Sequence, residues 1–229
     1  MLTSEILKDC AKKLNASGCG IASIERFSDA PIGFSPTDVF SKCKSVVVFI
    51  KQMPTGSVLA ENPVPYTYAT KIMFEEIDRI SMELVRCCQA NGADAVIIPP
   101  DAPYLYWDEE NKVGKGILSL KHAAVKAGLG IIGRNSLLIN PSYGNMVYIG
   151  AILVDAELEQ DKLVEDFSCI PNCNKCINVC PQHAIINGIV EQKLCRECSI
   201  LTTERNFKIY NCNKCRKICP LMTGKVSNM

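Results

Sequence analysis

Nine of the fourteen cysteines fall in one short stretch near the C-terminal end of the chain, and their spacing repeats. The first run reads CIPNCNKCINVCP and starts at Cys169. The second run includes CNKCRKICP, which ends at Pro220. In both runs two residues separate one cysteine pair, three residues separate the next pair, and a proline follows the last cysteine. Two copies of one cysteine pattern indicate that these side chains come together in space and act as ligands.

This spacing is typical of iron–sulfur proteins. Closely spaced cysteines bind the irons of one [4Fe–4S] cluster, and a further cysteine three residues on, followed by proline, binds the neighbouring cluster. The pattern therefore predicts two clusters that exchange their fourth ligands. We assign the first cluster to Cys169, Cys173, Cys176 and Cys219, and the second to Cys180, Cys195, Cys212 and Cys215.

Two details leave alternatives open. The gap after Cys169 holds three residues rather than two, and Cys198 competes with Cys195 for one ligand position. Pairs of cysteines separated by two residues also form zinc sites, although zinc sites do not call for the repeated Cys-Pro ending. A disulfide framework is disfavoured because the remaining cysteines are scattered and nothing marks the chain for export.

Length and charge limit the classes of partner. The 229 residues suit an α/β cofactor-binding domain at 1–160 and a smaller cluster module at 161–229. The net charge is +1, from 25 basic and 24 acidic residues, so no overall field favours a nucleic acid or an anionic membrane. No apolar run approaches the roughly 18 residues of a membrane span. These features predict a cytoplasmic protein.

Hydrophobic patterns upstream of the cysteines predict a mixed α/β domain. Apolar residues at helical spacing predict helices at residues 4–16, 66–90 and 119–126. Apolar and β-branched runs predict strands at residues 20–24, 45–50, 94–99, 136–139 and 145–154. The run at 45–50 is apolar on both faces and should be central. We expect the proline- and glycine-rich loops 51–65 and 100–116, with the turn at 128–135, to form the ligand pocket.

The glycines of that turn need a separate interpretation. GLGIIG matches the spacing of a dinucleotide-binding motif, but it lies between a helix and a strand rather than between a strand and a helix. The nucleotide interpretation is therefore rejected. Glycines at this place indicate either close approach of the backbone to a bulky partner or tight turns under a packed helix.

Together with the cysteine module, the segment AAVKAGLGIIGRNSLLINPSYGNMVYIGAIL resembles the epoxyqueuosine reductase family of cobalamin-dependent iron–sulfur proteins, which is related to the reductive dehalogenases. The resemblance implies a nitroreductase-like, cobalamin-binding α/β (α+β) sandwich followed by a ferredoxin-like module with two [4Fe–4S] clusters. It favours Cys195 over Cys198 as a ligand, because residues 190–194 resemble the approach to that ligand in related proteins. It implies corrinoid-proximal positions at Lys121, Gly128, Leu129, Gly130, Gly133, Arg134 and Asn135.

The sequence also departs from that family. The family's proton-donating acid, in an Asp-x-x-Pro motif, corresponds here to Gly114, and its proline to Ile117. Asp101 or Asp108, from the 100–116 loop, and Tyr143 are the substitutes that we consider for a catalytic proton donor. The family's C-terminal helical-repeat region, used for tRNA contact, has no counterpart before Met229. We therefore expect a substrate other than epoxyqueuosine.

Two functions follow as hypotheses. In the first, a ferredoxin, flavodoxin or similar reductase supplies electrons, which pass through the two clusters to a corrinoid that reduces a small substrate. In the second, the protein is an electron-transfer protein or reductive activator that docks a partner protein carrying the corrinoid or flavin. FMN is the alternative to cobalamin in both, because the implied fold also hosts flavins.

Overall fold

The computed structural model describes residues 1–224. The helices are α1 (Ser4–Lys13), α2 (Pro36–Val39), α3 (Thr55–Leu59), α4 (Pro63–Ala90), α5 (Leu120–Lys126), α6 (Lys175–Asn178), α7 (Gln192–Ser199) and α8 (Lys214–Lys217), with a 3-10 turn at Ile24–Phe27. The strands are β1 (Gly18–Ser23), β2 (Ser45–Gln52), β3 (Ala95–Ile98), β4 (Tyr106–Asp108), β5 (Val113–Lys115), β6 (Ile131–Ile132), β7 (Leu138–Ile139), β8 (Val147–Val154), β9 (Ile185–Ile186), β10 (Ile189–Val190), β11 (Ile200–Thr202) and β12 (Lys208–Tyr210). The mixed α/β character predicted from the sequence is confirmed.

A four-stranded sheet in the order β1-β2-β8-β3 organises the first part of the chain. All its neighbouring strands are antiparallel, and β2 pairs with β8 from Ser45 opposite Val154 to Gln52 opposite Val147. The prediction that residues 45–50 are central is confirmed. The prediction of a pocket at residues 51–65 relied partly on the rule that ligands bind at the carboxyl ends of strands in parallel sheets. That rule does not apply to this antiparallel sheet.

Helices cover both faces of the sheet. Phe49 of β2 belongs to the core formed with α1 and α4, where Ile77 and Leu84 are fully buried. Val48, on the opposite face of β2, belongs to the core formed with α5, where Ala123 is fully buried. Successive side chains of a strand point to opposite faces, so a central strand covered on both sides must be apolar at every position.

Two predicted loops are more regular than expected. Residues 51–65 include α3 and the first turn of α4, which starts at Pro63 because proline is compatible with the first helical position. The Asn62 side chain caps α4 by accepting a hydrogen bond from Val64 N at 2.8 Å. Residues 100–116 carry the β4–β5 hairpin. The strand predicted at 136–139 is reduced to β7, which pairs with β6.

The cysteine module, the part of the chain from residue 161 onward, consists of short helices and hairpins that pack against the preceding residues. Helices α6 and α8 follow Asn174 and Asn213 in the two cysteine runs and contact each other. The module is attached to the first domain by hydrogen bonds from Tyr210 N to Thr67 Oγ1 and from the Asn213 side chain to Val58 O. Within residues 1–224, no helix combines the length and apolar character that crossing a membrane requires.

Candidate cluster and cofactor sites

The first cysteine group surrounds a small cavity. Its wall contains all four side chains predicted to bind the first cluster: Cys169, Cys173, Cys176 and Cys219. Burial raises the pKa of the Cys219 thiol, and the neighbouring Cys169 and Cys176 thiols raise it further. Because Cys219 comes from the second run, the structure brings together the members of the exchanged set rather than the four cysteines of one run.

The second group contains five cysteines. Burial raises the pKa of Cys215 to about 11, and its neighbours Cys195, Cys212 and Cys180 contribute to that increase. Burial also raises the pKa of Cys198 to about 12, with Cys212 as the next contributor. Cys195 and Cys198 lie one turn apart on α7, and both reach this group.

The donor atoms suit iron–sulfur clusters. In the described chain, residues 1–224, no three His, Cys, Asp or Glu side chains converge closely enough to hold a single metal ion. A [4Fe–4S] cluster does not require such convergence, because each thiolate binds a different iron and the thiolates surround the cluster. Within residues 1–224, the walls of the first cavity offer four thiols and no carboxylate or imidazole. Thiols with a raised pKa must release protons when they bind the cluster, so assembly should be favoured at higher pH.

The glycine turn packs against the protein's own backbone. A Cβ atom on Gly128 would lie 2.1 Å from Lys162 O, and one on Gly130 would lie 2.3 Å from Ile139 O. A Cβ atom on Gly133 would meet the Ile139 side chain, and Leu129 is buried in the core. The walls described for the cavities at residues 100–116 include none of residues 128–135, so a pocket shared by the turn and this loop stays a prediction. Of the two roles considered for the glycines, the structure supports tight turns under a packed helix.

A larger cavity lies between the first domain and the cysteine module. Its volume is about 660 Å³, and Cys195 is part of its wall. The aromatic rings around it come from α4, the 100–116 segment, β8 and β12: Tyr66, Phe74, Tyr104, Trp107, Tyr148 and Tyr210. The Tyr104 and Trp107 rings stack with their centroids 6.3 Å apart. The predicted contribution of residues 100–116 is therefore present, whereas residues 51–65 are absent from the described walls of this cavity.

A second cavity of about 290 Å³ adjoins the first, and both include Phe74 and Tyr148 in their walls. Lys121 lines the smaller cavity and donates hydrogen bonds to the backbone and the hydroxyl of Ser136. Burial lowers the pKa of Lys121. Together the two cavities approach the upper end of the roughly 300–1,000 Å³ range of small-molecule sites.

The walls of these cavities match the chemistry of a corrinoid. Aromatic and apolar side chains can contact a flat macrocycle, and the macrocycle carries amide groups at its edge. Asn145 lines the smaller cavity and is 1% exposed, and its Oδ1 atom is buried without a hydrogen-bond partner. An amide N–H of a bound ligand would satisfy that acceptor, which is otherwise costly to bury. The residues present therefore fit such a group.

Asp101 and Tyr143, two of the predicted proton donors, occupy different places. Asp101 lines the large cavity and accepts a hydrogen bond from the Tyr104 hydroxyl. Burial raises the pKa of Tyr104 to about 12, and the bond to Asp101 contributes to that increase. Tyr143 packs instead against the core, and its backbone N–H donates to Asn140 Oδ1 at 3.0 Å. The structure therefore places Asp101, and not Tyr143, at the cavity.

Several wall residues escaped the sequence analysis. Tyr148 lies within an apolar strand, so the sequence does not mark it as a cavity residue. In the structure its hydroxyl lies 2.7 Å from Thr70 Oγ1, within hydrogen-bond distance. Tyr66 of α4 and Tyr210 of β12 make an edge-to-face contact, with centroids 6.4 Å apart. Their separation in sequence gives no signal of this contact.

Comparisons with known proteins agree with the resemblance seen in the sequence. No family model matches the chain. An epoxyqueuosine reductase of Staphylococcus aureus is 36% identical over 99 residues, which are 43% of this chain and 25% of that protein. An epoxyqueuosine reductase of Aliivibrio fischeri is 40% identical over 84 residues, which are 36% of this chain and 22% of that protein. The chain thus matches about a quarter of the length of these curated relatives.

Solved structures extend the similarity to nearly the whole fold. The epoxyqueuosine reductase of Streptococcus thermophilus superposes with a TM-score of 0.65 and 18% identity, over 96% of this chain and 67% of that chain. A catabolic reductive dehalogenase superposes with a TM-score of 0.68 and 18% identity, over 94% of this chain and 31% of that chain. The chain is therefore similar to the epoxyqueuosine reductases in sequence, and shares its fold with them and with the reductive dehalogenases.

Proposed function

We propose that the protein is an iron–sulfur oxidoreductase in which two [4Fe–4S] clusters deliver electrons to a corrinoid that reduces a small substrate. The observation that carries this proposal is the position of Cys195. It belongs to the second cysteine group and also lines the large aromatic cavity. The second cluster would therefore adjoin the cofactor cavity, and the first cluster would receive electrons from outside.

The cofactor is proposed from the shape and chemistry of the cavities. When bound, a corrinoid supplies the reducing chemistry that amino-acid side chains lack. The aromatic walls would contact its ring, and Lys121 and Asn145 would bind its polar edge. A reductive dehalogenase of the same fold is described as B12-dependent, with a TM-score of 0.65 over 93% of this chain and 31% of that chain. FMN is the alternative occupant.

Asp101 and Tyr104 are the proposed source of the proton. Tyr104, like any tyrosine, is protonated near neutral pH, and its pKa, raised to about 12, means that it holds this proton more tightly. Its hydroxyl donates to Asp101, so a proton is held at the cavity wall within reach of a bound substrate. Gly114, at the position of the family's acid, exchanges two hydrogen bonds with the Gln192 side chain, both at 3.1 Å. These bonds fasten the β4–β5 hairpin to the cysteine module.

The substrate and partners are further proposals. A bound corrinoid would occupy much of the cavity, so we propose a small substrate rather than epoxyqueuosine in tRNA. A ferredoxin, flavodoxin or similar reductase is proposed as the electron donor.

A second candidate function is that of an electron-transfer protein or reductive activator. The glycine at position 114 favours it, because that position offers no acid for substrate protonation. In this case the cavity would receive a corrinoid or flavin that a partner protein carries. The two candidates differ in whether the isolated protein retains the cofactor and turns over substrate.

The test is anaerobic reconstitution followed by addition of cobalamin or FMN. We expect retention of about one corrinoid per chain after gel filtration and its reduction when dithionite-reduced clusters are present. The Cys176→Ser variant should lose one cluster and slow that reduction. Retention of neither cofactor would refute the enzyme proposal and leave the activator proposal. Retention of FMN alone would identify FMN, and not a corrinoid, as the cofactor. Epoxyqueuosine-containing tRNA stem loop should remain unreacted, and its conversion would refute the proposed substrate class.

A further inference from the structure

Arg134 projects from the glycine turn to the first cysteine group. Its Nη1 atom donates to Cys173 O at 3.1 Å and to the Asn174 side chain at 2.5 Å. It also lines the cavity that the four predicted ligands of the first cluster surround. Among the described residues of that wall, Arg134 carries the only permanent charge. Its role is therefore separate from those of the glycines beside it, which pack on the backbone.

Asn135 connects the two cysteine groups. It is 3% exposed and lines the cavity of the first group. Its Nδ2 atom donates to Cys215 O, in the second group, at 3.2 Å, and its Oδ1 atom accepts from Leu137 N at 3.3 Å. A tight turn, closed by hydrogen bonds from Gly133 N to Leu137 O at 2.9 Å and from Ser136 N to Gly133 O at 2.8 Å, holds both neighbouring side chains in place. The turn thus presents a cation and a fixed amide to the clusters.

The charge of Arg134 has a direct consequence for redox chemistry. Reduction of a cluster adds one electron, and no bond forms or breaks. A nearby cation stabilises the additional negative charge by an amount that depends on distance and local dielectric. Net charge and hydrogen bonding around the cluster are among the factors that set its reduction potential. The Arg134 guanidinium should therefore make the first cluster easier to reduce.

We infer that Arg134 raises the reduction potential of the cluster held by Cys169, Cys173, Cys176 and Cys219, and that Asn135 positions this cluster relative to the second one. This inference rests on the proposed clusters, but it assigns both residues to the clusters rather than to the corrinoid. A higher potential at the first cluster favours acceptance of an electron from the external donor. Asn135 is a positioning residue, because it acts through the backbone of Cys215.

The test is a potentiometric titration of the reconstituted full-length protein, followed by electron paramagnetic resonance. Arg134→Gln removes the charge, and Arg134→Lys keeps it. Arg205→Gln is the matched control, because Arg205 is exposed on the β11–β12 hairpin and outside the cavity wall. We expect Arg134→Gln to shift the reduction equilibrium of one cluster by about tenfold, or about 59 mV to more negative potential for a one-electron couple. The potential of the second cluster should stay unchanged in Arg134→Gln. Both clusters should keep their potentials in Arg134→Lys and in the control Arg205→Gln.

The outcomes separate this inference from the proposed function. Absence of iron and sulfide in the wild-type protein would refute the proposed function itself. Normal cluster content with unshifted potentials in Arg134→Gln, or a shift in Arg134→Lys as large as in Arg134→Gln, would overturn the inference alone. If Arg134→Gln does not assemble the first cluster, Arg134→Lys still tests the inference, because a potential that falls although the charge is kept would overturn it.

Discussion

Replacement of Gly128 by alanine tests whether the glycine turn is needed for packing or for cofactor binding. Gly128 has a φ of +73°, and a Cβ atom there would lie 2.1 Å from Lys162 O. Gly92, after α4, has a φ of +81°, and a Cβ atom there would meet no other atom within 4 Å. Gly92→Ala therefore imposes only the conformational cost, whereas Gly128→Ala also forces the Lys162 backbone to move.

The expected magnitudes follow from these two terms. An alanine in the left-handed region costs roughly 1–2 kcal/mol. Forcing an additional methyl group into a packed site costs roughly 1–3 kcal/mol more. Gly92→Ala should therefore reduce the free energy of unfolding by about 1–2 kcal/mol, and Gly128→Ala by about 2–5 kcal/mol. In a protein of this size, each kcal/mol lowers the Tm by roughly 2–4 °C.

The assay is anaerobic thermal unfolding of the two variants and the wild type without corrinoid, at one scan rate. The full difference in stability between the two variants should appear even without corrinoid, because the clash with Lys162 lies within the chain itself. Equal losses of stability in both variants, together with loss of corrinoid retention only in Gly128→Ala, would refute the packing explanation and restore the role of the turn as a cofactor contact.

Three other changes have defined outcomes. Cys195→Ser should remove iron from the second cluster while Cys198→Ser leaves the iron content unchanged, and the reverse result in iron analysis would assign the ligand to Cys198. Tyr104→Phe should slow substrate reduction by on the order of 10²-fold without changing the rate of cluster reduction by dithionite, and an unchanged turnover rate would exclude Tyr104 as a proton source. Burial raises the pKa of Cys88 from 9.0 to about 12. The folded protein therefore favours the neutral thiol, and the free energy of unfolding should be highest below pH 9 and fall as the pH rises towards 12. Urea unfolding of the reduced apoprotein should show this loss, with a smaller dependence in Cys88→Ala; identical pH dependences would contradict it.

The sequence was most informative where a local pattern had one physical solution. The run at residues 45–50 is apolar at every position, and only a strand covered on both faces buries it well. The repeated Cys-Pro ending likewise predicted that Cys219 would join the cysteines of the first run, and the structure brings it to Cys169, Cys173 and Cys176. Whether these thiols bind the two predicted clusters stays a prediction.

The sequence was least informative where the partner of a residue lies far along the chain. The glycines of GLGIIG fit close approach to a ligand or to the protein itself, and the contact between Gly128 and Lys162 O decides this only in three dimensions. Arg134 and Asn135 were predicted to lie near the corrinoid through resemblance, whereas their hydrogen bonds lead to Cys173 and Cys215. The prediction of one continuous loop over residues 51–65 was also wrong, because Pro63 starts a helix rather than extending the loop.

The central claim is that two clusters supply electrons to a corrinoid in the cavity beside Cys195. Its most direct test is the joint measurement of iron, acid-labile sulfide and bound corrinoid in the anaerobically reconstituted protein. We expect about eight irons and eight sulfides per chain, four of each from each cluster, and one corrinoid. Four or fewer irons, or zinc in place of iron, with no corrinoid retained, would contradict it.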